Sequence, residues 1–183
     1  QGPGDRLGEI EYEALLATGS DDYAWSPPAD ESAPLALNYT SGTTGNPKGV
    51  VYHHRGAFLE SVGNVMMWPL PPGAVYLWTL PMFHCNGWCY TWAVTAMAGT
   101  HVCLRRVDPA QVFGLIERER IAMFCAAPTV LISIASVPPE ARTGSRKGVR
   151  ILTAGAPPAA ATIERVEGEL GWTITQVYGL TET

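Results

Sequence analysis

Charge is scarce in this sequence and unevenly spread. Only 16% of its 183 residues are Asp, Glu, Lys or Arg, and the formal net charge is −5. Residues 1–31 hold eight acids against Arg6 alone, so the remaining chain, with nine acids and eleven bases, is net +2. That excess is far short of a nucleic-acid footprint, although it suits an anionic ligand of ordinary size. Long apolar runs are missing too, since none approaches the ~20 residues of a transmembrane helix. Gln1 is followed by no cationic leader and no apolar h-region, so no secretory signal is expected. The four cysteines (Cys85, Cys89, Cys103, Cys125) include no C-x-x-C pair. With His84 and His101 added, their spacing still fits no standard zinc site. Reduced thiols and a cytoplasmic location are the expectation. No internal repeat or low-complexity tract is evident, and 46% hydrophobic residues suffice for one sizeable core.

What the chain does have is the stretch LNYTSGTTGNPKGVV, Leu37 to Val51. Leu35, Leu37 and Tyr39 suit a strand running inward. The turn after it carries Gly42, Gly45 and Gly49, which permit positive φ and close approach, so successive N–H groups can point at one anion. Thr40, Ser41, Thr43 and Thr44 add neutral donors, and Lys48 adds a point charge. Such a set is suited to phosphate oxygens. It is no Walker A loop: aligning Lys48 with the Walker lysine puts Pro47 at the second glycine and Gly49 at the magnesium-binding hydroxyl. The dinucleotide fingerprint fails as well, because Thr44 stands where its second glycine should be. An ordinary Gly/Ser/Thr surface loop is the plainer alternative.

Along the chain, residues 1–33 read as a linker around one short helix over Ile10–Ala17, and residues 34–183 as a core segment. Phe58, Val62, Val65 and Met66 recur on one helical face, ended by Pro69, Pro71 and Pro72. Residues 75–80 read as a buried strand, 87–98 as a helix stopped by Gly99, and 101–105 as a strand. Asp108, Pro109 and Gln111 form a helix start, with Val112, Phe113 and Ile116 facing inward. A strand at 121–126, a helix at 129–136 and a loop at 138–148 follow, the loop's Arg142, Arg146 and Lys147 reading as a solvated face. Val149–Thr153 is a strand, Ile163, Val166 and Leu170 mark a helix, and Thr173–Val177 is the last strand. Alternation of this kind predicts an α/β fold, a mostly parallel sheet with helices on both faces. Ligands bind such sheets at the carboxyl ends of the strands, and three glycine-bearing loops fall there: 40–49, 155–158 and 178–183.

The twelve positions from Tyr39 to Val50 resemble the phosphate loop of the AMP-forming synthetases, the adenylate-forming superfamily of acyl-CoA ligases, luciferases and peptide-synthetase adenylation domains. Tyr178-Gly179-Leu180-Thr181-Glu182-Thr183 resembles that superfamily's second nucleotide motif. The resemblance implies that Tyr178 stacks on adenine, Thr181 binds the α-phosphate and Glu182 ligates Mg²⁺. It also implies that Thr43, Thr44 and Lys48 meet the β- and γ-phosphates of ATP, and that Gly155, Ala156 and Pro157 line the adenine with backbone. For Thr181 and Glu182 the plain alternative is a helix start bearing a cap and an acid.

Pro81-Met82-Phe83-His84-Cys85-Asn86-Gly87-Trp88 resembles the acyl-pocket motif of the CoA ligases. In amino-acid-activating relatives an Asp follows the Phe and pairs the substrate ammonium, whereas here His84 stands there. Burying an ammonium without a counter-charge costs on the order of several kcal/mol. An acid without an α-amino group is therefore expected. His84 is placed near its carboxylate, against the alternative of a hydrogen-bonded core histidine. Gly87 and Trp88 would shape the pocket, and Tyr90 and Trp92 would line or back it, the plain alternative for each aromatic being a core residue. The run Tyr76 to Cys103 is similar to the short- and medium-chain acyl-CoA ligases, including the methylmercaptopropionate-CoA ligase type.

The implied activity is ATP-dependent activation of a small or medium carboxylic acid to acyl-AMP, then transfer to CoA. Lys48, His84, Thr181 and Glu182 are the candidate catalytic residues. ATP, Mg²⁺ and CoA are the expected cofactors and co-substrates, and a homo-oligomer is left open. An adenylation domain charging a carrier protein and a non-catalytic nucleotide-binding module stand as alternatives. The resemblance also implies that the ribose-binding Asp and the C-terminal Lys of a complete enzyme lie beyond Thr183, so the 183 residues alone are expected to be inert.

Overall fold

The computed structural model describes residues 8–41, 45–144 and 146–183. Chain contacts separate residues 1–30 from residues 31–183. In the first unit the described chain holds one helix, α1 (Tyr12–Leu16), with no buried residue.

The second unit is built on a five-stranded sheet of β3 (Val75–Trp78), β4 (Thr100–Cys103), β5 (Met123–Cys125), β6 (Arg150–Thr153) and β7 (Thr173–Gln176). The strand order is β4-β3-β5-β6-β7, and every neighbouring pair is parallel. Side chains on a strand alternate faces, and the sequence exploits this on both sides. Leu77, Phe124 and Ile151 point to one core, shared with Val112, Phe113 and Ile116 of α5 (Pro109–Arg118), with Leu131 and Ile134 of α6 (Pro128–Ala135), and with Trp172. Tyr76, Trp78, Met123, Cys125 and Leu152 point to the other, with Tyr90 and Val94 of α4 (Tyr90–Ala96). Strands buried on both faces read as near-continuous apolar runs, which is why these were legible in the sequence.

The α/β reading therefore holds, with corrections at particular elements. The segment before the phosphate loop does not join the parallel sheet. It is β1 (Pro34–Thr40), paired antiparallel with β2 (Lys48–His53) in a separate two-stranded hairpin, with Thr40 opposite Lys48. Leu35, Leu37 and Tyr39 face outward rather than in. Ser41 and residues 45–47, the described part of the stretch between these strands, thus adjoin the two-stranded ribbon and not a strand of the parallel sheet. The helix after it, α2 (His54–Met67), buries Ala57 and Ser61, while the predicted inward residues Phe58 and Met66 stand 66% and 72% exposed. His53 caps it, Nδ1 accepting from Gly56 N at 2.7 Å. The helix expected to start at residue 87 starts at Tyr90, after a turn of opposite hand described below.

Arg142 and Arg146 are not merely solvated. Arg142 Nε donates to Val137 O and its Nη2 reaches Glu169, while Arg146 Nε donates to Ile121 O. These bonds tie Arg142 to the chain just after α6 and Arg146 to the chain just before β5. The last helix runs Ala160–Glu164 (α7) and continues as a wider turn over Arg165–Glu169, burying Val166.

Candidate active site

A cleft of about 1120 Å³ opens where the strands of the sheet end. Its walls come from the hairpin (Thr40, Ser41, Tyr52), the segment after β3 (His84, Cys85, Trp88), the segment after β6 (Gly155, Ala156) and the segment after β7 (Tyr178, Gly179, Thr181, Glu182). Carboxyl ends of parallel strands leave main-chain groups and loop side chains free to converge on a ligand. The hairpin is joined to that convergence by Tyr52, whose hydroxyl donates to Thr181 O at 2.8 Å. Cys85 Sγ lies 3.4 Å from Thr181 Oγ1, which ties the segment after β3 to the same point. Burial and the nearby thiols push the Tyr52 phenol up to about 12, so it stays a donor at neutral pH.

The wall after β3 has an unusual backbone. Cys85, Asn86, Gly87, Trp88 and Cys89 all have positive φ, between 44° and 64°, so the turn α3 (Cys85–Trp88) winds left-handed. Left-handed winding costs roughly 1–2 kcal/mol per non-glycine residue. Such strain persists only where the surroundings over-determine it, and here they do. Asn86 O accepts from Thr91 Oγ1, Trp88 O from Asn64 Nδ2, and Asn86 Oδ1 from Asn38 Nδ2. Beneath the turn a Cβ on Gly87 would meet the Trp78 ring at 2.5 Å, so that position accepts nothing larger. Trp78 is itself held by donating Nε1 to His101 Nδ1 at 2.9 Å.

The sequence model of the AMP-binding enzyme family matches residues 4–183. The chain belongs to this family. Among curated members it is 48% identical over 177 residues to an acetate/butyrate–CoA ligase of Arabidopsis thaliana named as peroxisomal, covering 96% of this chain and 31% of that protein. It is 47% identical over 179 residues to an acetate–CoA ligase of Humulus lupulus, covering 97% of this chain and 31% of that protein. Among solved structures, o-succinylbenzoate coenzyme A synthetase from Bacillus subtilis, in complex with ATP and magnesium ion, superposes with a TM-score of 0.78 at 27% identity. That match covers 94% of this chain and 36% of the synthetase. The chain thus spans about a third of the length of the curated members it matches.

In this member of the family, ten of the candidate residues meet at the cleft: Thr40, Ser41, His84, Trp88, Gly155, Ala156, Tyr178, Gly179, Thr181 and Glu182. His84 is exposed on the cleft wall, so the core-histidine alternative does not hold. Gly45, Lys48, Gly87 and Pro157 do not line it, Lys48 standing exposed at the start of β2 and Gly87 buried within the turn. Gly42, Thr43 and Thr44 lie outside the described residues. Trp92 is off the cleft, whereas Tyr90 contributes to its floor. Tyr52, Asn38, Asn64 and Cys85 are the residues that sequence reasoning missed. Their partners lie between 24 and 129 positions away, and only the fold brings them together.

The donor set fits magnesium. Glu182 offers one carboxylate beside the Thr181 hydroxyl on the cleft wall, and among the described residues it forms no ion pair. Mg²⁺ is commonly held by one or two carboxylates together with substrate phosphates. No helix among the described residues is long and apolar enough to cross a membrane.

Proposed function

We propose that this chain is the nucleotide- and acyl-binding segment of an AMP-forming acyl-CoA ligase for a small or medium carboxylic acid. The observation that carries the reading is the Tyr52–Thr181 bond, which supports one shared site for the phosphate hairpin and the Thr181–Glu182 motif, opposite His84 and Trp88. A carboxylate oxygen attacks the α-phosphorus of ATP, the bond to the bridging oxygen breaks, and pyrophosphate leaves. The CoA thiol then attacks the acyl carbon, loses its proton, and releases AMP.

In that reaction Lys48, Thr43, Thr44 and the loop N–H groups take the β- and γ-phosphates, and Thr40, Ser41, Gly42 and Gly45 shape the loop. Thr181 meets the α-phosphate, Tyr178 stacks on adenine with Gly179 beside it, and Gly155 and Ala156 line the ring, with Pro157 following them in the chain. Glu182 would hold Mg²⁺, which when bound neutralises phosphate charge. His84 orients the carboxylate, while Gly87 and Trp88 set the shape of the acyl pocket. The half-buried Trp88 and the absence of an acidic residue after Phe83 favour an apolar acid over an amino acid. The four free thiols support a reducing compartment such as the cytoplasm; fractionation against the peroxisome named for the Arabidopsis member decides between them.

The test is a panel of acids given to the full-length protein with ATP and Mg²⁺, scored by AMP release with and without CoA. Acids from acetate to octanoate are expected to release AMP faster than any amino acid, in a CoA-dependent manner. Lys48→Ala should lower kcat/KM for ATP by tenfold or more. Faster release with amino acids, or release that ignores CoA, would refute the substrate and acceptor proposed.

A further inference from the structure

Asn38 is the buried polar side chain of the hairpin, only 9% exposed. It precedes Thr40 on β1 by two residues, so the two share one face, and Thr40 lines the cleft. Asn38 does not spend its amide within the hairpin. Its Nδ2 donates to Asn86 Oδ1 at 2.7 Å, across 48 residues of sequence, into the left-handed turn. Asn86 is the turn's second residue, with φ 44°, and its carbonyl is taken by Thr91. On either side of it the same turn presents His84 and Trp88 to the cleft. The bond therefore runs from the strand that leads into the phosphate loop to the turn that shapes the acyl wall.

We infer that the Asn38–Asn86 hydrogen bond couples nucleotide binding at the hairpin to acid binding at the left-handed turn, both residues acting as positioning residues. The inference rests on the function proposed above. β1 and β2 stand outside the sheet, so their position relative to the acyl wall is not fixed by ladder bonds. Phosphates bound at the hairpin fix its position, and with it the position of Asn38 and of the Asn86 side chain that accepts from it. A ligand that orders what a second ligand also needs ordered gives positive coupling between them. The coupling is reciprocal, so the acid tightens the nucleotide by the same factor.

The experiment is calorimetric titration of the full-length protein with the acid that the panel turns over fastest. It is run with and without saturating α,β-methylene-ATP and Mg²⁺, and the ratio of the two acid affinities is read. In the wild type the nucleotide is expected to tighten the acid by about fivefold or more. In Asn38→Ala and in Asn86→Gly that ratio should fall below about twofold. Asn86→Asp should keep it, because a carboxylate still accepts from Asn38 and Asp tolerates left-handed φ. Asn86→Gly separates coupling from a collapsed turn: glycine adopts φ 44° without strain, so the turn persists while the Oδ1 acceptor is gone. A wild-type ratio in Asn86→Gly overturns the inference, as does a ratio near one in a wild type that releases AMP. A wild type that releases AMP from no acid of the panel overturns the functional reading beneath it instead.

Discussion

Cys125 closes β5 against the aromatic side of the core and is fully buried. Burial pushes its thiol from an ordinary value near 9 up to about 12, with the nearby Tyr76 hydroxyl opposing the rise. Cys89, which ends the left-handed turn, is raised to about 12 by the same cause, and Glu60 and Cys85 add to it. A folded-state value above the unfolded one means that the native protein keeps a proton the unfolded chain gives up. The contribution is intact below about pH 9 and is lost as pH rises from there toward about 12. Each such group adds up to ~1.4 kcal/mol of lost stability per pH unit in that window. Cys125→Ala should therefore flatten the fall in the urea midpoint between pH 9 and 10.5 relative to wild type, whatever it does to the midpoint at pH 7. Parallel curves for the two proteins would show that this thiol does not set the alkaline sensitivity.

Elements whose signals are local are legible in the sequence. Asp108 accepts from Ala110 N at 3.1 Å with Pro109 at the first helical position, and Val112, Phe113 and Ile116 are buried as their spacing predicts. Asp108→Ala should cost about 1 kcal/mol, and Asp108→Ser should recover most of it, as read from urea unfolding; no loss in the Ala variant would show that the cap is not needed. Elements set by tertiary contact were not legible. The spacing of Phe58, Val62 and Met66 announces a helix but not which side is covered. α2 turns small Ala57 and Ser61 inward, and Ser61 Oγ bonds Ala57 O while also lying 3.4 Å from Cys89 O. Lys48–His53 carries no strand signal of its own, because Val50, Val51 and Tyr52 make too short a run without the partner β1. In the turn after β3, only Asn86 and Gly87 tolerate positive φ readily. Nothing in the types of Cys85, Trp88 and Cys89 announces a left-handed conformation. The motifs at 81–88 and 178–183 located two walls of the cleft, but the bonds that draw those walls together arise only from the fold.

At the scale of the whole molecule, the hairpin's outer surface is a feature that these 183 residues, taken by themselves, have to accommodate. Leu37 and Val51 sit opposite each other in the β1–β2 register, each 55% exposed, with Tyr39 two residues along the same face of β1. A two-stranded ribbon is marginal without a covering layer, and its free edges and apolar side invite pairing with another chain. The ladder is antiparallel and the apolar positions repeat every second residue, so a second copy can meet the face with the same side chains. Sedimentation or light scattering should therefore show a mass rising above the 19.7 kDa monomer as concentration increases through the micromolar range. The double variant Leu37→Thr, Val51→Thr keeps β-favouring residues on the ribbon while removing apolar area. It should shift the self-association midpoint upward by about tenfold or more in concentration, with far-UV circular dichroism unchanged. If the wild-type protein stays at the monomer mass throughout, this apolar face does not drive association. If the double variant associates as readily as wild type, the contact lies elsewhere on the surface.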